Sequence, residues 1–229
     1  MGFNEMTHAF LAAKYYVRLT ECFGERGKAA FLHAARYYAE QRGRRMAQRA
    51  IRDGKDLTYE TYCQYGEWIS TNEVKALGFA NRTEVKTVSP DYEMHIHVCP
   101  WHEQFKKMGL TEAGLVYCSD LDASICRGFN PELVYEVSQT LHDHAFCIQT
   151  VRNAGLAEGF RLEKNSSGLR SFEYHCAHLY WAFYEVATAI FGEEGEAAAE
   201  GVLEDFEEAY GKEAGACLKG YQDTNFNVA

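Results

Sequence analysis

Between Met94 and Cys147 the chain carries five of its nine histidines and four of its eight cysteines. Thiols and imidazoles attack carbon, ligate metals and move protons near neutral pH, so chemistry is expected in this quarter of the sequence. Cys118 and Asp122 stand four apart in a helical stretch, one turn from each other on one face. A carboxylate there could take a proton from a water or from the thiol, and the same pair also reads as a buried cysteine beside a solvated aspartate. Cys99-Pro100-Trp101-His102 puts a thiol at a strand end and an imidazole on the following turn. That is the pattern of half a zinc site, without a second half at standard spacing. Cys147 follows a turn bearing His142, Asp143 and His144, which could supply a base.

The candidates are therefore Cys118, Asp122, His144 and Cys147 for catalysis, with Trp101, His97, His178 and Tyr117 for substrate contact. Cys99 and His102 are the candidates for holding one divalent ion such as zinc, iron or manganese.

Helices and strands must bring these residues together. Residues 1–80 read as helices, with Gly24 as a stop and a second helix from Glu25 toward Gly54. Thr58 reads as the N-cap of a shorter helix through Trp68. The pattern changes near Thr83. Residues 83–88 and 92–99 read as a hairpin around Ser89-Pro90-Asp91, and period-two alternation sets His95, His97 and Cys99 on one face. Short helices are expected at 101–108 and 111–127, the latter ending at Gly128, then strands at about 132–141 and 145–152. Residues 172–191 are apolar nearly all round, so His178 and Glu185, two turns apart, need partners or wall a pocket. A last helix, 194–221, rich in Ala and Glu, reads as a solvated outer layer. The order predicts an α+β fold: a four-stranded antiparallel sheet covered by N- and C-terminal helices. The helical segment 1–80 is expected to pack on an 81–229 core as one compact unit.

Composition narrows the function classes. Hydrophobic residues at 47% and aromatics at 14% suit a well-filled interior. A net charge of −10 disfavours nucleic acid, whose binding depends on Lys and Arg at phosphates. No window offers the roughly 18 uncharged apolar residues that span a bilayer, so no membrane partner is expected. The opening MGFNEMTHAF lacks a basic region followed by an apolar one, and no C-x-x-C pair occurs. Free thiols and a cytoplasmic location are expected. The basic stretch 42–52, RGRRMAQRAIR, reads as a solvated helix face or as a partner for the acidic C-terminal helix, within the chain or across a homodimer.

Cys99-Pro100, Tyr117-Cys118 with Asp122, Gly128-Phe129-Asn130-Pro131 and Cys147 follow one another in an order that resembles the L-2-amino-thiazoline-4-carboxylate hydrolase family. The resemblance covers about residues 95–152, with weaker similarity in the helices on either side. It implies a hydrolase that opens a cyclic, amidine-like C–N bond of a small molecule with water. Members tend to have Gly-Asp before the last cysteine, where this chain has Asp143-His144-Ala145-Phe146. The rival reading is a non-catalytic module that binds a small molecule or a metal through the same cluster.

Overall fold

In the computed structural model, which describes residues 2–229, Glu5–Arg52 forms α1, a 48-residue helix broken once. Asn4 starts it with a capping box, its side chain accepting from the N–H groups of Met6 and Thr7 while Thr7 Oγ1 accepts from Asn4 N–H at 2.8 Å. At Gly24 the backbone takes φ 56° and ψ −132°, which glycine adopts without steric cost, so the expected stop is a sharp bend with helix resuming directly beyond it.

After α1 come α2 (Tyr59–Tyr65) and α3 (Asn72–Ala76). Thr58 caps α2 as expected, accepting from Thr61 N–H at 3.2 Å. The helix ends at Gly66 and not at Trp68, which turns Glu67 and Trp68 back onto α1. The five-residue α3 was not expected, being too short to show a period.

The basic stretch is corrected most. Arg42, Arg45 and Arg49 recur at i, i+3 and i+7, so they share one stripe of α1, and that stripe is buried around Glu67. Arg45 Nη2 and Arg49 Nη2 each donate to the Glu67 carboxylate at 2.8 Å, and Arg42 Nε lies 3.8 Å away. Burial alone would raise the Glu67 pKa. The charge and hydrogen bonds of Arg45 outweigh it and hold the group down to about 2.

The strands are β1 (Arg82–Thr87), β2 (Tyr92–Val98), β3 (Val134–Gln139) and β4 (Cys147–Arg152), all antiparallel in the order β1-β2-β4-β3. Two hairpins thus join through the central pair β2–β4. Between them run α4 (Pro100–Lys107) and α5 (Thr111–Phe129). Gly128, expected to end α5, lies inside it for a packing reason. A Cβ at Gly128 would stand 2.4 Å from Glu40 O, and one at Gly43 would stand 2.1 Å from Ile125 O. Only glycines let α1 and α5 cross backbone to backbone here.

The C-terminal helices are α6 (Phe172–Phe191), α7 (Glu193–Tyr210) and α8 (Lys212–Lys219). The single helix expected at 194–221 is broken at Gly211, where φ is 94°. Helix α7 is also no solvated layer, because Ala198, Ala199, Val202, Leu203 and Phe206 bury one stripe of it. Glu185, paired on paper with His178, is exposed and accepts from Tyr37 Oη at 2.9 Å.

One apolar cluster runs from Ala9 to Phe226, and its fully buried rings include Tyr15, Phe31, Tyr117 and Phe183. Helices packed around and beside a four-stranded antiparallel sheet make the fold α+β, as expected. All eight cysteines are unpaired, and among the described residues no helix is long and apolar enough to cross a membrane.

Candidate active site

Where α1, α4 and α5 meet the ends of β2 and β4, the side chains enclose a cavity of about 230 Å³. Six of the ten candidates line it: Cys99, Trp101, Tyr117, Cys118, Asp122 and Cys147. Each arrives by local geometry. Tyr117, Leu121 and Ile125 form an i, i+4, i+8 row on α5, and Cys118 and Asp122 form the adjacent row. Cys147 and Gln149 alternate along β4, so both face the cavity. Cys99 is the N-cap of α4, one residue past β2, so strand alternation no longer governs it. It faces the cavity with Ile96, and not with the histidines as alternation predicted.

The other four lie elsewhere. On the outer face of the sheet, His97 packs beside Phe146, its Nε2 3.3 Å from the Glu84 carboxylate. His144 is exposed, Nδ1 3.0 Å from Asp143. His178 is buried against α1, 2.9 Å from Gln41 Oε1 and 3.3 Å from an Arg45 nitrogen. The His102 ring stands 5.0 Å from that of His142 and does not line the cavity. Among the described residues no group of three or more His, Cys, Asp and Glu is disposed to hold a metal ion. Cys99 lines the cavity and His102 does not, so the pair expected to hold an ion is not brought together there.

Asp122, half-buried, is the carboxylate of the cavity. Burial raises its pKa, the positive charge of Arg42 and a hydrogen bond from Gln149 pull it down, and the balance stays above the ordinary carboxylate value. Gln149 Nε2 donates to Asp122 Oδ2 at 2.8 Å, and Tyr135 Oη donates to Gln149 Oε1 at 2.6 Å. The phenol thereby fixes which end of the amide faces the carboxylate.

The thiols are held protonated. Burial pushes Cys99 up to about 12 and Cys147 up to about 11. Cys118 is raised well above its usual value by burial, then by Cys99, Asp122 and Cys147. Trp101 is fixed by donating Nε1–H to His8 Nδ1 at 3.1 Å, while His8 Nε2 lies 2.9 Å from Tyr38 Oη.

Two buried donors on the cavity wall lack partners. Arg42 lies 3.4 Å over the Trp68 ring, with Nε and Nη1 making no hydrogen bond, and the Tyr117 hydroxyl makes none either. Unspent buried donors are costly, and together these offer a guanidinium edge and a phenol to an anionic group.

Arg42 and Gln149 were both missed in the sequence, although each left a signal. Arg42 heads the i, i+3, i+7 arginine row on a helix with buried Tyr38 and Met46. Gln149 follows Cys147 at strand period, so any reading that placed the thiol in a site placed the amide beside it.

Residues 3–147, more than half of the chain, match the family model described as L-2-amino-thiazoline-4-carboxylic acid hydrolase. The match reaches from the first helix to the last cysteine of the cavity, well upstream of the segment whose motifs suggested it. No curated protein matches the chain, and no solved structure does.

Proposed function

The chain belongs to the L-2-amino-thiazoline-4-carboxylic acid hydrolase family, a family of hydrolases by its name, and from that premise we propose that it opens the ring of a small cyclic amidine bearing a carboxylate. The observation that carries the reading is one half-buried carboxylic acid of raised pKa sharing a single cavity with a guanidinium whose Nε and Nη1 make no hydrogen bond.

The substrate carboxylate is held by Arg42, with the Tyr117 hydroxyl as second donor. Asp122, ionised, accepts a proton from a water whose oxygen bonds to the amidine carbon, giving a tetrahedral adduct. Protonated Asp122 then returns the proton to the ring nitrogen. The C–N bond breaks as the carbonyl forms, and the adduct's hydroxyl proton passes through the same carboxylate to the departing nitrogen, which leaves as a free amine. A thiazoline yields a free amine and a carbamoylated thiol, with one water consumed. A pKa above the ordinary carboxylate value favours both directions of this transfer near neutrality. Attack by Cys118 is the weaker route, because its thiol is held protonated. Cys99, Cys118 and Cys147 serve as a polarizable wall around the ring.

Turnover of 2-amino-thiazoline-4-carboxylate by the wild-type protein and by Asp122→Asn tests this. The expected loss of kcat is about 100-fold or more, the scale of general acid–base catalysis. A variant that turns over within about threefold of wild type removes Asp122 from the chemistry.

A further inference from the structure

Behind the thiol cavity lies a second one, of about 250 Å³, walled by β2, β4, α2 and the loop that follows β4. Arg42, Tyr62, Asn81, Ile96 and Gln149 line both, so the two cavities adjoin. Its character differs. Four tyrosines (Tyr59, Tyr62, Tyr92 and Tyr135) and Phe160 supply ring faces, and two cations, Lys164 and Arg42, stand in the wall with no Asp or Glu among the lining residues.

Lys164 is the informative residue. It is half-buried and forms no ion pair among those of the described residues, whereas Arg42 at least borders Glu67. Its ammonium lies against Gly66, where an added Cβ would stand 2.2 Å from Nζ. Lys164 and Arg42 repel each other across this cavity, and Lys164 has no counter-charge of its own, an arrangement that an entering anion relieves. Phe160, Leu162 and Lys164 all come after residue 147, the end of the family match, so this wall belongs to the part of the chain that the match does not describe.

We propose that the tyrosine-lined cavity is a second binding site, taking an aromatic or aliphatic group that ends in a carboxylate, with Lys164 as its counter-ion. Ring faces suit the apolar body, and a carboxylate between the ammonium and Arg42 neutralises the uncompensated charge. The carboxylate belongs either to an arm of the substrate that passes Gln149 or to a separate ligand beside it.

Burial, then repulsion by Arg42, pushes Lys164 down to about 8. The groups facing it titrate higher: Cys63 is pushed up to about 11 by burial, and Tyr59, Tyr62 and Tyr92 are raised as well. Lys164 is charged below its pKa, so anion binding should weaken as pH rises through about 8.

Calorimetric titration with phenylacetate tests the site without reference to turnover. Wild type should bind, Lys164→Gln should bind about tenfold or more weakly, and Lys164→Arg should stay close to wild type. Gly66→Ala, which displaces the ammonium while keeping its charge, should also weaken binding. The loss above pH 8 should vanish in Lys164→Gln. Equal binding by wild type and Lys164→Gln, or no binding by wild type, overturns the proposal. Repeating the titration with 2-amino-thiazoline-4-carboxylate saturating the Asp122→Asn protein separates the sources. Competition shows that the two carboxylates draw on Arg42 in turn and makes the site an extension of the substrate cavity, and simultaneous binding assigns it to a separate ligand. Because Lys164 takes no part in the Asp122 chemistry, either reading can fail alone.

Discussion

Asp122 sits between a low-dielectric wall that raises its pKa and two neighbours, Arg42 and Gln149, that lower it, and the wall prevails. That balance has a sign for stability as well as for catalysis. A carboxylate whose folded pKa lies above its unfolded value costs stability where it is ionised, and the cost fades as pH falls toward the unfolded value near 3.8. Asp122→Asn should therefore unfold at a temperature no lower than wild type at pH 7, with the difference shrinking toward pH 4. Thermal denaturation across that range checks it, and a clear loss of stability at pH 7 would mean that the carboxylate is structural. At this scale the sequence was informative where residues were spaced by a period. Cys118 and Asp122, Tyr117, Cys147 and Trp101 converge as their positions on helix and strand imply, whereas Cys99 reaches the cavity as a helix cap and not on the histidine face that alternation implied. The histidines were less legible. His97, His144 and His178 differ in surroundings and not in spacing, and whether an imidazole faces a cavity, solvent or an arginine is decided by tertiary packing.

The crossing of α1 and α5 decides where Arg42 stands. Gly43, its neighbour, meets the Ile125 carbonyl, and Gly128 meets Glu40, so the two helices approach as closely as their backbones allow. Gly43→Ala cannot be relieved by a side-chain rotation, because its Cβ would meet backbone atoms on α5. The helices must separate, with an expected destabilisation of about 1–3 kcal/mol or more and a weaker hold on a carboxylate substrate. Urea denaturation together with KM checks both, and an unchanged midpoint would show that the crossing yields without cost. Periodicity and caps revealed most of the helices and the two hairpins, including the Thr58 cap and a break at Gly24, but not the short α3 or the break at Gly211. They did not reveal that a glycine near a helix end was a contact, because a stop and a close approach use the same residue for the same lack of a Cβ. The Ala/Glu-rich α7 was misjudged for a related reason: small residues bury a stripe that composition reads as polar.

Across the whole molecule, Glu67 is the point where distant parts of the chain meet. It takes the charges of Arg45 and Arg49 from α1, its backbone carbonyl lies 3.3 Å from His175 Nε2 on α6, and Arg45 also donates to the carbonyl of Phe226 near the C-terminus. Removing one partner of a buried ion cluster costs about 3–5 kcal/mol, and Glu67→Gln should lose that much at pH 7. Holding a carboxyl at about 2 instead of 4.5 corresponds to about 3 kcal/mol. That contribution is complete above pH 4.5 and is lost as pH falls through 2, so wild type and Glu67→Gln should converge in acid. Denaturant titrations at pH 7 and pH 3 measure the gap, and a gap that does not narrow would contradict the assignment. The same cluster anchors α1 behind the cavity, and so the electrostatic setting of Asp122 belongs to the fold as a whole. The most direct test of the central claim is the pH dependence of kcat for 2-amino-thiazoline-4-carboxylate in wild type and Gln149→Ala. With Asp122 as the base, activity should rise with pH along a limb above the ordinary carboxylate value, and losing the Gln149 hydrogen bond, which lowers that pKa, should move the limb to higher pH. A limb that stays in place in the variant, or a rate independent of pH in this range, would show that another group moves the proton.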